Sequence, residues 1–135
     1  MSIVILDSEA VSALHSSGKK TRTVMSMFET QRVTRRAPLR RTFIVPTTVR
    51  VEAGWDRTSP ASAAANRHPI IDQELNGRTA DVAARLRKDL GVFPADAHIG
   101  AVVHSLPVGT EVSVLTSDPD DIAAVTDGRA RIIRI

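Results

Sequence analysis

The sequence predicts an α/β fold, with a mostly parallel sheet covered by helices on both faces. Two observations carry that expectation. Short runs that are apolar throughout, such as IVIL at 3–6 and VSVL at 112–115, alternate with segments of helical periodicity. Strands buried on both faces read as continuous apolar runs, and helices between them supply the crossovers that parallel pairing needs. The chain has 135 residues, 42% hydrophobic and 24% charged. That suits one domain, spanning 1–135, with a sizeable core.

The elements follow in order. IVIL is a buried strand, and Asp7 and Ser8 lead into a helix marked by Val11 and Leu14, with Gly18 as its stop. Residues 20–36 place Val24, Met27 and Phe28 at helical spacing among arginines, which predicts a basic amphipathic helix ended by Pro38. Phe43 to Val45 form a second strand. Pro46 and Thr47 open a helix that runs through Val51, Glu52 and Trp55. Residues 57–69 are small and polar and read as a loop or a short alanine helix. Ile70 and Ile71 read as a brief strand or a loop anchor. Val82, Leu86 and Leu90 mark a helix over 79–90, closed by Gly91. DAHIGAVVHS at 96–105 is a buried helix broken by Pro107 and Gly109. Val112 to Leu115 is a strand, IAAVT a helix, and ARIIRI a final strand.

Composition narrows the chemistry. There is no cysteine, which excludes disulfides, thiolate zinc and cysteine nucleophiles and fits a cytoplasmic protein. The four histidines show no metal-binding pairing. The opening segment lacks a basic leader, and no apolar run is long enough to cross a bilayer. Charge is unevenly spread. Between His15 and Arg50 lie nine basic residues and one acid, a balance of +8 in a chain whose total is +3, which leaves −5 for the rest. A polyanion gripped by one segment and processed by the other fits that division.

The acids lie where a parallel sheet builds sites. Asp7 follows the first strand and Asp118 follows the strand at 112–115. Both belong at the carboxyl edge, where ligands bind in such sheets. Glu52 falls about two turns into the helix after the second strand, and Asp96 opens the buried helix. Singly, each has a plainer role. Asp7 and Asp96 suit helix caps, and Asp118-Pro119-Asp120-Asp121 is a strong capping sequence. Together, acids crowded at one sheet edge repel unless a cation neutralises them. Mg²⁺ or Mn²⁺ suits an all-oxygen site and can activate water against a phosphodiester.

ILDSEAVSAL, PTTVRVEAGW, PADAHIGAVV and VLTSDPDDIAAV, in that order and spanning nearly the whole chain, resemble the PIN domain. The likeness is greatest to the VapC-type toxins of bacterial toxin–antitoxin pairs, and DAHIGAVV and LTSDPDDI are its most specific stretches. The resemblance implies a three-layer α/β/α sandwich and endonucleolytic cleavage of RNA with Mg²⁺ or Mn²⁺. By motif position the four catalytic and metal-binding acids are Asp7, Glu52, Asp96 and Asp118. Ser8 and Thr116 match supporting hydroxyls. Asp120 and Asp121 match less securely, and Asp121 better suits the helix start. The resemblance also implies an antitoxin whose disordered tail covers the cleft, and a homodimer. Pro107 departs from the family pattern and shortens the expected helix, and 57–69 matches nothing.

On this reading Lys19, Lys20, Arg35, Arg36, Arg40 and Arg41 hold the RNA backbone. Aromatic residues are few, so base stacking involves few positions; Trp55 is either a stacking platform or core. A phospho-receiver domain would want paired acids after the first strand and a lysine after the last core strand. A haloacid-dehalogenase-type phosphatase would want DxD where this chain has DSE. The remaining alternative is a catalytically inactive PIN-like module that binds RNA or protein.

Overall fold

The computed structural model describes residues 2–33 and 41–135, the side chains of 30–33 excepted. Five strands form one sheet: β1 (Ser2–Leu6), β2 (Arg41–Pro46), β3 (Ile70–Gln73), β4 (Glu111–Thr116) and β5 (Arg131–Arg134). Their order is β3-β2-β1-β4-β5, and every pairing is parallel. From β1 the chain winds outward through β2 and β3, then returns past β1 to β4 and β5. The winding reverses between β1 and β4, and in such sheets the crevice forms at the carboxyl ends there.

The helices are α1 (Ser8–Leu14), α2 (Lys19–Val33), α3 (Thr47–Ala53), α4 (Ala63–Asn66), α5 (Gly77–Leu90), α6 (Pro94–Ser105) and α7 (Pro119–Thr126), with a 3-10 turn at Pro60–Ser62. Right-handed crossovers that travel in opposite directions from β1 fall on opposite faces of the sheet. Accordingly α1 packs with α2 and α3, while α6 packs between α5 and α7. The result is the three-layer α/β/α sandwich.

Local sequence explains most of this. In β1, Val4, Ile5 and Leu6 are buried, so a polar residue on either face of that strand would be stranded. Each such side chain contributes about 1.5–3 kcal/mol by leaving water. Helix α6 is buried almost all round, from Ala95 through Val103, which is why DAHIGAVV carries no polar stripe. Pro94 starts it without wasting an amide hydrogen bond.

Several expected boundaries move. Helix α1 ends at Leu14, capped by His15, before Gly18 is reached. Helix α3 ends at Ala53, because Gly54 takes a left-handed conformation (φ 69°) that closes it and turns the chain toward Trp55. The stretch 57–69 holds both the short alanine helix and loop. The α5 stripe is shifted. Ala83 is its buried residue, Val82 and Leu86 pack against the core, and Leu90 is exposed. Ile70 begins a genuine edge strand paired to Phe43.

Trp55 is core, not a stacking platform. It is 2% exposed, its Nε1 donates to Asn66 Oδ1 at 3.0 Å, and the Arg57 guanidinium lies 4.1 Å over its ring. Asp72 on β3 holds Arg50 (2.7 Å) and Arg57 (2.9 Å) together, which staples the 54–72 segment to the sheet edge. Among the described residues no helix is long and apolar enough to cross a membrane.

Candidate metal centre

The cluster is built at the switch point. Asp7 follows β1, and its amide donates to the Leu115 carbonyl of β4 at 3.1 Å, which continues the pairing past the strand end. The carboxylate is 5% exposed and caps α1, with Oδ1 accepting from the Ala10 amide at 2.9 Å. Burial raises the Asp7 pKa above the usual carboxylate value. Hydrogen bonding from the Thr116 hydroxyl and from the amides of Ala10 and Ser117 opposes that shift, and the Glu9 charge adds to it.

Thr116, the last residue of β4, is fully buried. Its Oγ1 accepts from the Asp118 amide at 2.9 Å. Because that oxygen accepts from the amide, its own proton is available to Asp7. One hydroxyl thus ties the turn that carries Asp118 to the carboxylate after β1. Ser8 is the first residue of α1, half-buried beside Asp7.

Asp118 occupies the cap position of α7 yet makes no side-chain capping bond. Its carboxylate turns instead toward Asp96 and Asp121. One oxygen from each of these three lies within 4.8 Å of the others. Burial raises the Asp121 pKa, as do the charge of Asp118, a hydrogen bond shared with Asp118 and the charge of Asp120. Asp96 stands in the first turn of α6 but does not cap it; Phe93 holds the cap position. Its pKa is pushed up to about 6, first by burial, then by the charges of Glu52, Asp121, Asp118 and Asp7. Glu52, exposed near the end of α3, is the foremost of those charges.

Of the acids named from sequence, Asp96 and Asp118 come together, and Glu52 and Asp7 lie within electrostatic reach of Asp96. Asp121, given to the helix start from sequence, joins the cluster. Its available signal was the spacing of three residues from Asp118, which puts both on one face of a helical turn. Asp120, the intervening acid, is exposed.

Behind the cluster, α3 and α6 are joined by a buried contact. His98, fully buried, places Nδ1 2.9 Å from Thr48 Oγ1 and 3.4 Å from the Thr48 amide. Burial lowers its pKa and keeps the ring neutral, with the Glu74 backbone offsetting part of that.

The cations distribute unevenly. Lys20 reaches Glu9 at 3.6 Å, next to the acid-bearing edge, and Lys19 begins the same helix, α2. Arg41 sits in register with Ser2, at the amino edge of the sheet. That is the opposite edge, about 17 Å along a six-residue strand. Arg35, Arg36 and Arg40 lie outside the described residues.

The donor set fits a hard divalent ion. Every candidate ligand is a carboxylate oxygen, and the crowding that raises the pKa of Asp96 and of Asp121 favours a cation among them.

No family model matches the sequence, and no curated protein matches it. In structure the chain is similar to one in the crystal structure of VapBC2 from Rickettsia felis bound to a DNA fragment from their promoter. The TM-score is 0.63 over 98% of each chain, at 9% sequence identity. The likeness is one of fold, and it extends over the whole sheet and its helices.

Proposed function

We propose that the chain is a PIN-like, Mg²⁺- or Mn²⁺-dependent endoribonuclease, acting as the toxin of a toxin–antitoxin pair. The observation that carries the reading is the convergence of Glu52, Asp121, Asp118 and Asp7 on Asp96, whose pKa they help raise to about 6. Acids held this close destabilise the free protein, and a site that lowers stability in this way supports a role in binding and chemistry.

Asp96, Asp118 and Asp121 would hold the ion, with Asp7 completing the set. A bound divalent ion supplies Lewis acidity toward water and toward the phosphoryl oxygens. The chain's own groups do the rest. Thr116 fixes Asp7 and the Asp118 turn. Glu52, exposed near the end of α3, would join the ligand set through a water, orient the attacking water and accept its proton. The water oxygen bonds to phosphorus as the ester P–O bond breaks, and the departing oxygen takes a proton from solvent, to which Glu52 returns the one it accepted. Ser8, the first residue of α1, would supply a supporting hydroxyl next to Asp7. Lys19 and Lys20 flank the acidic edge and would hold the RNA backbone, a salt-sensitive contact without sequence content.

The VapBC fold likeness supports a cognate antitoxin as partner, and the cysteine-free composition a cytoplasmic setting. Dimerisation belongs to the same reading. The test is cleavage of single-stranded RNA by the purified chain with Mn²⁺, with and without Asp96→Asn. Metal-dependent cutting that the substitution abolishes supports the nuclease. RNA binding without cutting, unchanged by the substitution, favours the inactive binding module instead.

A further inference from the structure

We propose that His98 is a positioning residue, whose imidazole caps α3 from α6 and so fixes Glu52 opposite Asp96. The inference rests on the nuclease reading above.

Helix α3 begins after Pro46, whose side chain offers no acceptor and makes no capping bond. First-turn amides need a partner when they are not solvated. The Thr48 amide finds His98 Nδ1 at 3.4 Å, and the Thr48 hydroxyl lies 2.9 Å from the same nitrogen. A backbone N–H can only donate, so Nδ1 accepts and the ring proton sits on Nε2. The acceptor thus comes from 50 residues along the chain, on the helix that carries Asp96.

Glu52 lies one helical turn beyond Thr48, on the same face of α3. Helix α3 packs on α6, the helix that carries Asp96 in its first turn. A bond at one end of this seven-residue helix therefore sets where the carboxylate near its other end stands. Packing alone does not explain a histidine here. Its neighbours on α6 are alanine, valine and isoleucine, and an aliphatic side chain there would bury no polar ring nitrogens.

The experiment is calorimetric titration of Mn²⁺ into the full chain. The variants are wild type, His98→Leu and His98→Asn, each with and without Glu52→Gln. Asparagine Oδ1 stands where Nδ1 stood. Substituting partners that orient ligands typically weakens metal binding by about ten- to a hundredfold. His98→Leu is expected at about ten-fold, with His98→Asn restoring most of it. In the Glu52→Gln background the His98→Leu effect should vanish, since the two residues act as one unit. If His98→Leu does not fold, Thr48→Val, which removes the hydroxyl from a half-buried site, must weaken binding in the same direction. Unchanged affinity in the folded variant, or an equal loss in the Glu52→Gln background, overturns the positioning role alone. No saturable Mn²⁺ binding by the wild type overturns the nuclease reading, and this inference with it.

Discussion

A β-carbon on Gly100 of α6 would stand 2.8 Å from the carbonyl oxygen of Val125 in α7, and 2.8 Å from the Val125 Cβ. The two helices run side by side at a separation that only hydrogen allows. One turn back along each lie Asp96 and Asp121, two of the three acids that approach within 4.8 Å. Glycine here sets the width of the acidic cleft.

Gly100→Ala should therefore destabilise the protein by about 1–3 kcal/mol, the usual range for overpacking. It should also weaken the response to Mn²⁺, because α6 must move away from α7. Thermal melts with and without metal measure both. A variant as stable and as metal-responsive as wild type would show that the helices yield without cost.

Asp96→Asn should raise the melting temperature of the metal-free protein. The substitution removes a carboxylate that burial and four neighbouring charges disfavour. A gain of about 1 kcal/mol is typical where a site trades stability for function. The same variant should lose its stabilisation by Mn²⁺. A lower metal-free melting temperature would mean that the charge is better tolerated than its surroundings imply.

The pH dependence has a definite sign. Asp96 is raised from 3.8 to about 6, and Asp7 and Asp121 are raised as well. A raised folded-state pKa contributes stability that is complete below the unfolded value and lost as pH rises through the folded one. The metal-free protein should thus lose stability from these groups as pH climbs from about 4 to 7. Protons compete with the ion for the same oxygens, so Mn²⁺ affinity should fall by about tenfold per unit below roughly pH 6. Melts across that range, with and without Mn²⁺, should give opposite slopes. Parallel slopes would remove these carboxyls from the account.

Thr116→Val keeps the shape of a fully buried residue but deletes the oxygen that receives the Asp118 amide at 2.9 Å. Metal-dependent cleavage should drop by about ten- to a hundredfold, the range for lost ligand-orienting bonds. Steady-state cleavage beside a melting curve tests this. Lost stability with undiminished turnover would make Thr116 a packing residue only.

The sheet and its helices were legible because their causes are local. An apolar run such as IVIL has one comfortable state, and proline and glycine mark its neighbours. Boundaries slipped where a single residue decides them, as at Gly54, whose left-handed turn ends α3 before Trp55. Asp7 and Asp118 were legible for a related reason, since each follows a strand and parallel strands share one carboxyl edge. Asp121 was not. Which of two adjacent acids faces inward depends on the rotation of α7 about its axis, and packing against α6 fixes that rotation.

The sequence by itself determined which segments are strands and helices, and that four acids lie just beyond or within elements leaving one edge. Local periodicity and chain direction suffice for that. Only the tertiary structure decided the strand order, the inward turn of Asp121 and the failure of Asp118 to cap its helix. It also placed Arg41 on the far edge and joined His98 to Thr48. Each of these depends on which surfaces pack together across tens of residues, and no pattern within a single segment encodes that choice.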